Sequence, residues 1–281
     1  MTPRSCCEGQ QWLCYASAIN RRILVFLLLI PGYLFASDPV ASTVSQSKPA
    51  IALIIDDMGN DWEHGKQAIN LPGPVTCAFL PYGAYTRRLA HYAHEHDKEV
   101  MLHLPMQSVD DQPLDPGGLT LDMTESVLAE TLLRDLAAVP YVAGINNHMG
   151  SLLTRHPGHM NWLMTILQQQ GRLFFVDSRT TDHSVARQLA AENAVPNLQR
   201  DVFLDVERDQ AAILSQFLKL VEKAKRNGAA LGIGHPYPET LAVLRREISS
   251  LQDYELQLVS VGQLIELRQQ KGKTWHASLS R

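Results

Sequence analysis

Three features of the sequence predict an α/β fold built on a parallel sheet. Short apolar runs alternate with helix-like stretches seven or eight times between residues 50 and 268. The runs are continuous rather than alternating, as strands covered on both faces require. Carboxylate, amide and imidazole side chains collect just past the run ends, where parallel α/β folds place their chemistry. Length and alternation suit a (βα) barrel of seven or eight strands, with a doubly wound open sheet as the alternative.

Taken in order, strands are expected at 51–56, 75–80, 99–104, 142–146, 172–176, 200–204, 229–233 and 256–260. Helices are expected near 84–96, 124–138, 158–170, 184–193, 207–227 and 238–250. The first strand carries three isoleucines and delivers Asp56 and Asp57, with Gly59 as the turn residue. Neighbours on a strand face opposite sides, so these two carboxylates need not share a role. Capping the next helix is the plainer role open to either. Thr124 marks a helix start, Pro157 suits an early helical position, and Gly171 and Gly228 sit where helices should stop.

Residues 1–36 read as a secretory signal peptide. Arg21 and Arg22 precede the apolar run 23–30, and small residues follow up to a cleavage point after Ala36. The run is too short to span a bilayer comfortably, so no stable membrane span is expected after cleavage. The mature protein is therefore expected in the periplasm or outside the cell. Residues 37–49 form a polar linker, 50–268 the folded domain and 269–281 a polar tail.

Removing residues 1–36 takes away Arg4, Arg21, Arg22 and Glu8, leaving 22 basic against 28 acidic residues. No basic stripe remains, which argues against nucleic acid as a partner. Cys77 is then the only cysteine, so no internal disulfide is available, and its apolar run favours burial.

The polar residues that end the runs define a candidate site. Asp56 and Asp57 end the first, His103 the third, and Asn146, Asn147 and His148 the fourth. Asp177, Ser178 and Arg179 end the fifth, Arg200 and Asp201 flank the sixth, and His235 ends the seventh. In a barrel these ends share one rim. One carboxylate and two imidazoles with an open position form a catalytic Zn²⁺ arrangement, and hydrolysis also needs a base and an acid.

The strings LIIDDMG, LHLPMQ, GINNHMGS, FVDSRTT, RDVFLD and GHPYPET resemble those of the divergent polysaccharide deacetylases, relatives of the carbohydrate esterases that share the NodB homology domain. The resemblance covers about residues 50–268 and implies a distorted (β/α) barrel that removes acetyl groups from glycans with a divalent metal, usually zinc. By position it implies Asp56 as catalytic base, Asp57 and His103 as metal ligands, His235 as general acid and Asp177 as the carboxylate that tunes it. Two departures stand out. Gln107 occupies the place of a second metal histidine, and Asn146-Asn147-His148 replaces an arginine-bearing segment. His148 is taken as the third ligand on position alone, and Arg179 or Arg200 as the replacement for the arginine that steers the base.

The remaining histidines have plainer roles, including His91 and His94 on one solvated helix face. Trp62, Tyr82 and Tyr237 follow strand ends and suit either stacking on a sugar or packing. The expected function is an exported, metal-dependent hydrolase acting on an acetylated envelope glycan. The alternative is a catalytically silent glycan-binding or scaffolding domain that keeps its metal.

Overall fold

The computed structural model describes residues 48–110 and 112–279, with side chains to Gln270. The expected signal peptide and all but the last two residues of the linker lie outside the described residues. Those described fall within one compact unit, Gln46–Arg281. Among them, no helix is long and apolar enough to cross a membrane.

Nine strands pair into one sheet. They are β1 (Ala50–Met58), β2 (Thr76–Phe79), β3 (Val100–Met106), β4 (Val142–Met149), β5 (Phe174–Asp177), β6 (Asn197–Gln199), β7 (Val202–Phe203), β8 (Ala229–Gly234) and β9 (Gln257–Leu258). The spatial order is β6-β5-β4-β3-β2-β1-β8-β7, every pair is parallel, and β9 adds to the start of β1.

Within the expected strand at 200–204 only the short β7 forms, and β6 just before it lies on the opposite edge of this sheet. Arg200 N–H donates to Asp177 O on one edge, and Asp201 N–H donates to Leu231 O on the other, both at 2.9 Å. Consecutive residues that bond to both edges require a sheet curled round on itself. The result is a distorted barrel rather than a flat open sheet.

Helices cover the outside: α1 (Trp62–Ile69), α2 (Thr86–Glu95), α3 (Glu125–Ala138), α4 (Pro157–Gln170), α5 (Ala186–Glu192), α6 (Gln210–Asn227), α7 (Pro238–Ser249) and α8 (Val261–Leu279). Their ends follow the local signals. Pro157 opens α4, and Asp209 caps α6 by accepting from Ala211 and Ala212 N–H at 3.0 Å. Gly171 and Gly228 close α4 and α6 in the left-handed conformation, φ 72° and 77°. Two helices were not anticipated. The short α1 starts at Asp61, which accepts from His64 N–H at 2.8 Å, and α8 runs on through the stretch read as a polar tail.

The strand pleat divides the core. Ile51, Leu53 and Ile55 pack outward under the helices, while Ala52 and Ile54 face inward with Met101, Val176, Leu231 and Ile233. Val261, Leu264 and Ile265 of α8 join the inner cluster and floor the barrel. Glu99 fixes this floor: its carboxylate accepts from Val261 N–H at 2.9 Å and from Gly262 N–H at 3.1 Å. With one end closed, the polar side chains at the strand C-termini are left around the other.

Candidate active site

Inward alternation along β1 runs Ala52, Ile54, Asp56, so Asp57 should point away. It does not. The pairing of β1 with β2 shifts register between Ile55 and Met58, and Asp57 adopts φ 54°. This bulge with a left-handed residue turns the second carboxylate back to the side of the first. The sequence-based expectation of opposite faces is corrected by that local strain, which costs of order 1–3 kcal/mol. The following turn needs Gly59, at φ 121°, because a Cβ there would lie 2.1 Å from Thr86 Oγ1.

Three side chains from two strands and the bulge now meet. Asp57 Oδ1 lies 3.0 Å from His148 Nδ1 and 3.3 Å from His103 Nε2, and the two nitrogens are 3.1 Å apart. Parallel pairing of β3 with β4 sets His103 opposite Asn146 and Pro105 opposite His148.

The outer nitrogens fix the tautomers. Asp56 accepts from Asn146 Nδ2 at 2.8 Å, so the Asn146 carbonyl oxygen faces His103 Nδ1 at 2.9 Å, and that nitrogen must carry the proton. His148 Nε2 likewise faces Asp115 Oδ2 at 3.1 Å. With both rings neutral, the inner nitrogens therefore offer lone pairs toward Asp57 Oδ1, which is shielded from solvent and makes no hydrogen bond.

This triangle fits a metal ion. Tetrahedral ligands about 2.0–2.1 Å from zinc lie about 3.3 Å from one another, close to the edges found here. Lone pairs and a carboxylate oxygen facing each other also call for a cation between them. Among the described residues, Asp57, His103 and His148 form the group whose ligand atoms, one from each, could hold a metal ion. Gln107 takes no part. Its backbone carbonyl accepts from Leu152 and Leu153 N–H, and its side-chain Oε1 accepts from Leu121 N–H at 2.8 Å.

Asp56 is buried beside the triangle, 3.6 Å from His103 Nδ1. Burial raises its pKa, with His103, His235 and the Asn146 bond pulling the other way. Burial also pushes Asp57 up, but the imidazoles of His103 and His148 outweigh it and hold that carboxyl well below the usual range. Burial opposes a charge on His103, yet Asp56 and Asp57 overcome it and raise the imidazole to about 9, so a cation taking the Nε2 lone pair would displace the ring's second proton. Asp56 is held by an amide, Asn146, while Arg179 and Arg200 make their hydrogen bonds elsewhere.

His235 faces the triangle from β8, its Nε2 lying 3.7 Å from Asp57 Oδ2. Its ring Nδ1 is 3.0 Å from Asp205 Oδ1, and its backbone N–H donates to Asp205 Oδ2 at 2.6 Å. Burial disfavours the charged ring, but Asp205 more than compensates and the pKa is raised. The assignment of Asp177 as the tuning carboxylate is therefore corrected. Both Asp177 oxygens are engaged elsewhere, by Arg179 N–H at 2.8 Å and Ser184 Oγ at 2.7 Å, and hold the turn after β5.

Asp205 and Asp115 were both missed. Asp205 ends the apolar run VFLD as Asp56 ends its own, so the signal existed. Asp115 lies in a long loop with no local mark. Tyr237 is not a free platform, because it stacks on His235 and carries the Arg208 guanidinium 3.6 Å from its ring centre. Trp62 has Arg88 over its face at 3.8 Å, whereas Tyr82 is exposed.

An α/β barrel that gathers Asp56, His235 and the triad of Asp57, His103 and His148 at its strand ends has a hydrolase-like fold. The chain belongs to the divergent polysaccharide deacetylase family, whose model matches residues 53–265. It is 33% identical over 235 residues to an uncharacterised protein of Haemophilus influenzae, covering 84% of this chain and 83% of that one. An uncharacterised protein of Agrobacterium tumefaciens has the same fold, with a TM-score of 0.74 at 24% identity over 77% of this chain and 89% of that one. The peptidoglycan deacetylase PdaC of Bacillus subtilis, in a mutant form, matches with a TM-score of 0.52 at 13% identity over 84% and 99%. At those identities the two solved structures establish the fold alone.

Proposed function

We propose that the protein is an exported, metal-dependent hydrolase that removes acetyl groups from an envelope glycan. The observation that carries this reading is the lone-pair triangle of Asp57, His103 and His148 with Asp56 and His235 beside it. A divalent cation held by the triad, zinc by preference, would acidify a water and polarise the acetyl carbonyl.

The chain's own groups supply the proton traffic. Asp56 is buried and held by Asn146 on one oxygen, and its raised pKa makes it a stronger base than an exposed aspartate. It takes the proton of the attacking water. His235, whose pKa Asp205 raises, donates from Nε2 to the departing sugar nitrogen or oxygen. Without that proton an amide nitrogen is a poor leaving group. The rim aromatic Tyr82 offers a surface for a sugar ring.

Export is proposed from the basic flank and apolar run of residues 21–36. Cell fractionation with N-terminal sequencing tests it, and an intact N-terminus in the cytosol would overturn it. The activity is tested by measuring bound metal in the purified protein and acetate release from a panel of acetylated envelope glycans. Stoichiometric metal with acetate release is expected. A protein that binds glycans yet releases no acetate from any of them would instead be a silent binding domain.

A further inference from the structure

A cavity of about 380 Å³ is lined by Asp56, His103, His148 and His235, and two arginines share it. Arg200 donates through Nε to Ser178 O at 2.6 Å and through Nη2 to Arg179 O at 2.8 Å, with its guanidinium 5.1 Å from the Phe203 ring centre. Those bonds fix the plane of the guanidinium. Among the described residues, its Nη1 makes no hydrogen bond and the group forms no ion pair. Arg179, at φ 50° just past β5, pairs through Nη2 with Asp182 at 2.8 Å. That partner is 94% exposed, so the pair is weak and easily exchanged.

The two cations are close enough to disturb each other. Burial lowers the pKa of Arg200, and the charge of Arg179 lowers it further. The carboxylates of Asp177, Asp56 and Asp182 pull the other way without overcoming this, and Asp177 and Asp56 hydrogen-bond elsewhere, to Arg179 N–H, Ser184 Oγ and Asn146. Two like charges lining one half-buried cavity are relieved by an anion placed between or before them. Guanidinium forks favour the planar or tetrahedral oxygens of a carboxylate or phosphate.

We propose that Arg179 and Arg200 form an oxyanion-recognition site beside the hydrolytic groups, so that the substrate is an acidic glycan bearing a carboxylate or phosphate near the acetylated position. This rests on the proposed function, since it takes the cavity to be the glycan site. The arginines select the substrate, while Asp56 and His235 act on it.

The test is calorimetric binding of three acetylated sugars to the purified protein: N-acetylglucosamine, N-acetylmuramic acid and N-acetylglucosamine 6-phosphate. An acidic sugar is expected to bind about tenfold or more tightly than the neutral one, as charge-assisted bonds to two guanidiniums imply. Whichever acidic sugar binds better distinguishes carboxylate from phosphate. The preference should collapse in Arg179→Asn, a residue that tolerates φ near 50°, and shrink in high salt. Arg200→Gln provides a second variant, with thermal unfolding to check the turn it fastens. Equal binding of all three sugars, no binding of any, or a preference that survives Arg179→Asn would overturn the proposal. Acetate release is scored separately, so failed deacetylation with intact acid preference would sink the activity and leave the anion site standing.

Discussion

Asp205 grips His235 at two points, with one oxygen 3.0 Å from the ring Nδ1 and the other accepting the backbone N–H at 2.6 Å. The same carboxylate accepts from Thr240 Oγ1 at 2.8 Å, so it is itself anchored at the start of α7. An imidazole held this way presents Nε2 to the cavity and stays protonated to higher pH.

Asp205→Asn should therefore cut turnover about tenfold to a hundredfold, with little change in bound metal. The direction in pH is also set. Asp205 raises the His235 pKa, so its removal lowers it, and the alkaline limb of the rate profile should move to lower pH. The rate–pH profiles of parent and variant check this. An unmoved limb would remove His235 as the acid.

Asp56 and the triad should separate cleanly. Asp56→Asn is expected to keep its metal while losing about 10²–10⁴-fold in turnover, the usual contribution of a general base. His103→Ala and His148→Ala should lose metal and activity together. Metal content and acetate release, measured on the same preparations, distinguish the two groups.

Gln107→His should not improve the site, although it puts a histidine where the resemblance expects one. Gln107 holds the long loop through Leu121 N–H and lies outside the triangle. The expected result is unchanged metal content and a loss of about 1–2 kcal/mol in denaturant unfolding, the value of a buried hydrogen bond left unmade. Tighter metal binding in this variant would show that the position reaches the site after all.

Asp135 of α3 gives a pH effect on stability. It is buried, and burial lifts its carboxyl to about 7 against the pull of the Tyr82 hydroxyl and the Arg134 charge. A raised carboxyl holds its proton in the folded state, so its contribution is full below the ordinary carboxylate range. It is lost as pH rises from about 4 through 7 and is flat above that. Asp135→Asn cannot ionise and should be more stable than the parent at pH 8 by roughly 1–3 kcal/mol, with little gain at pH 4. Urea unfolding at the two pH values measures the difference.

Much of this arrangement was legible because a buried parallel strand leaves an apolar run that stops abruptly at a polar residue. Asp56, His103, Asn146, His148 and His235 all carry that mark, and they converge. Asp177 carries it too and was assigned too much, since strand-end position does not reveal that the turn after β5 consumes both its oxygens. The inward turn of Asp57 had no signal, because a left-handed aspartate leaves no glycine to betray it. Asp115 acts from a loop whose path only tertiary packing fixes. The helices α1 and α8 were hidden for a related reason: one is only two turns long, and the other ends in a polar stretch that periodicity does not distinguish from coil.

The closure of the sheet has a kinetic side. Ala50, the first residue of β1, pairs with Ala229 and Gln257, partners near the other end of the domain. Asp201 must likewise find Leu231 before the two edges are joined. Contacts of such long sequence separation form late and slowly, since the intervening chain must be ordered first. Fragments that stop before β8 would have β1 unpaired on one side and His235 missing altogether. The protein should therefore remain unfolded, and in need of protection from aggregation, until nearly all of the domain has left the ribosome.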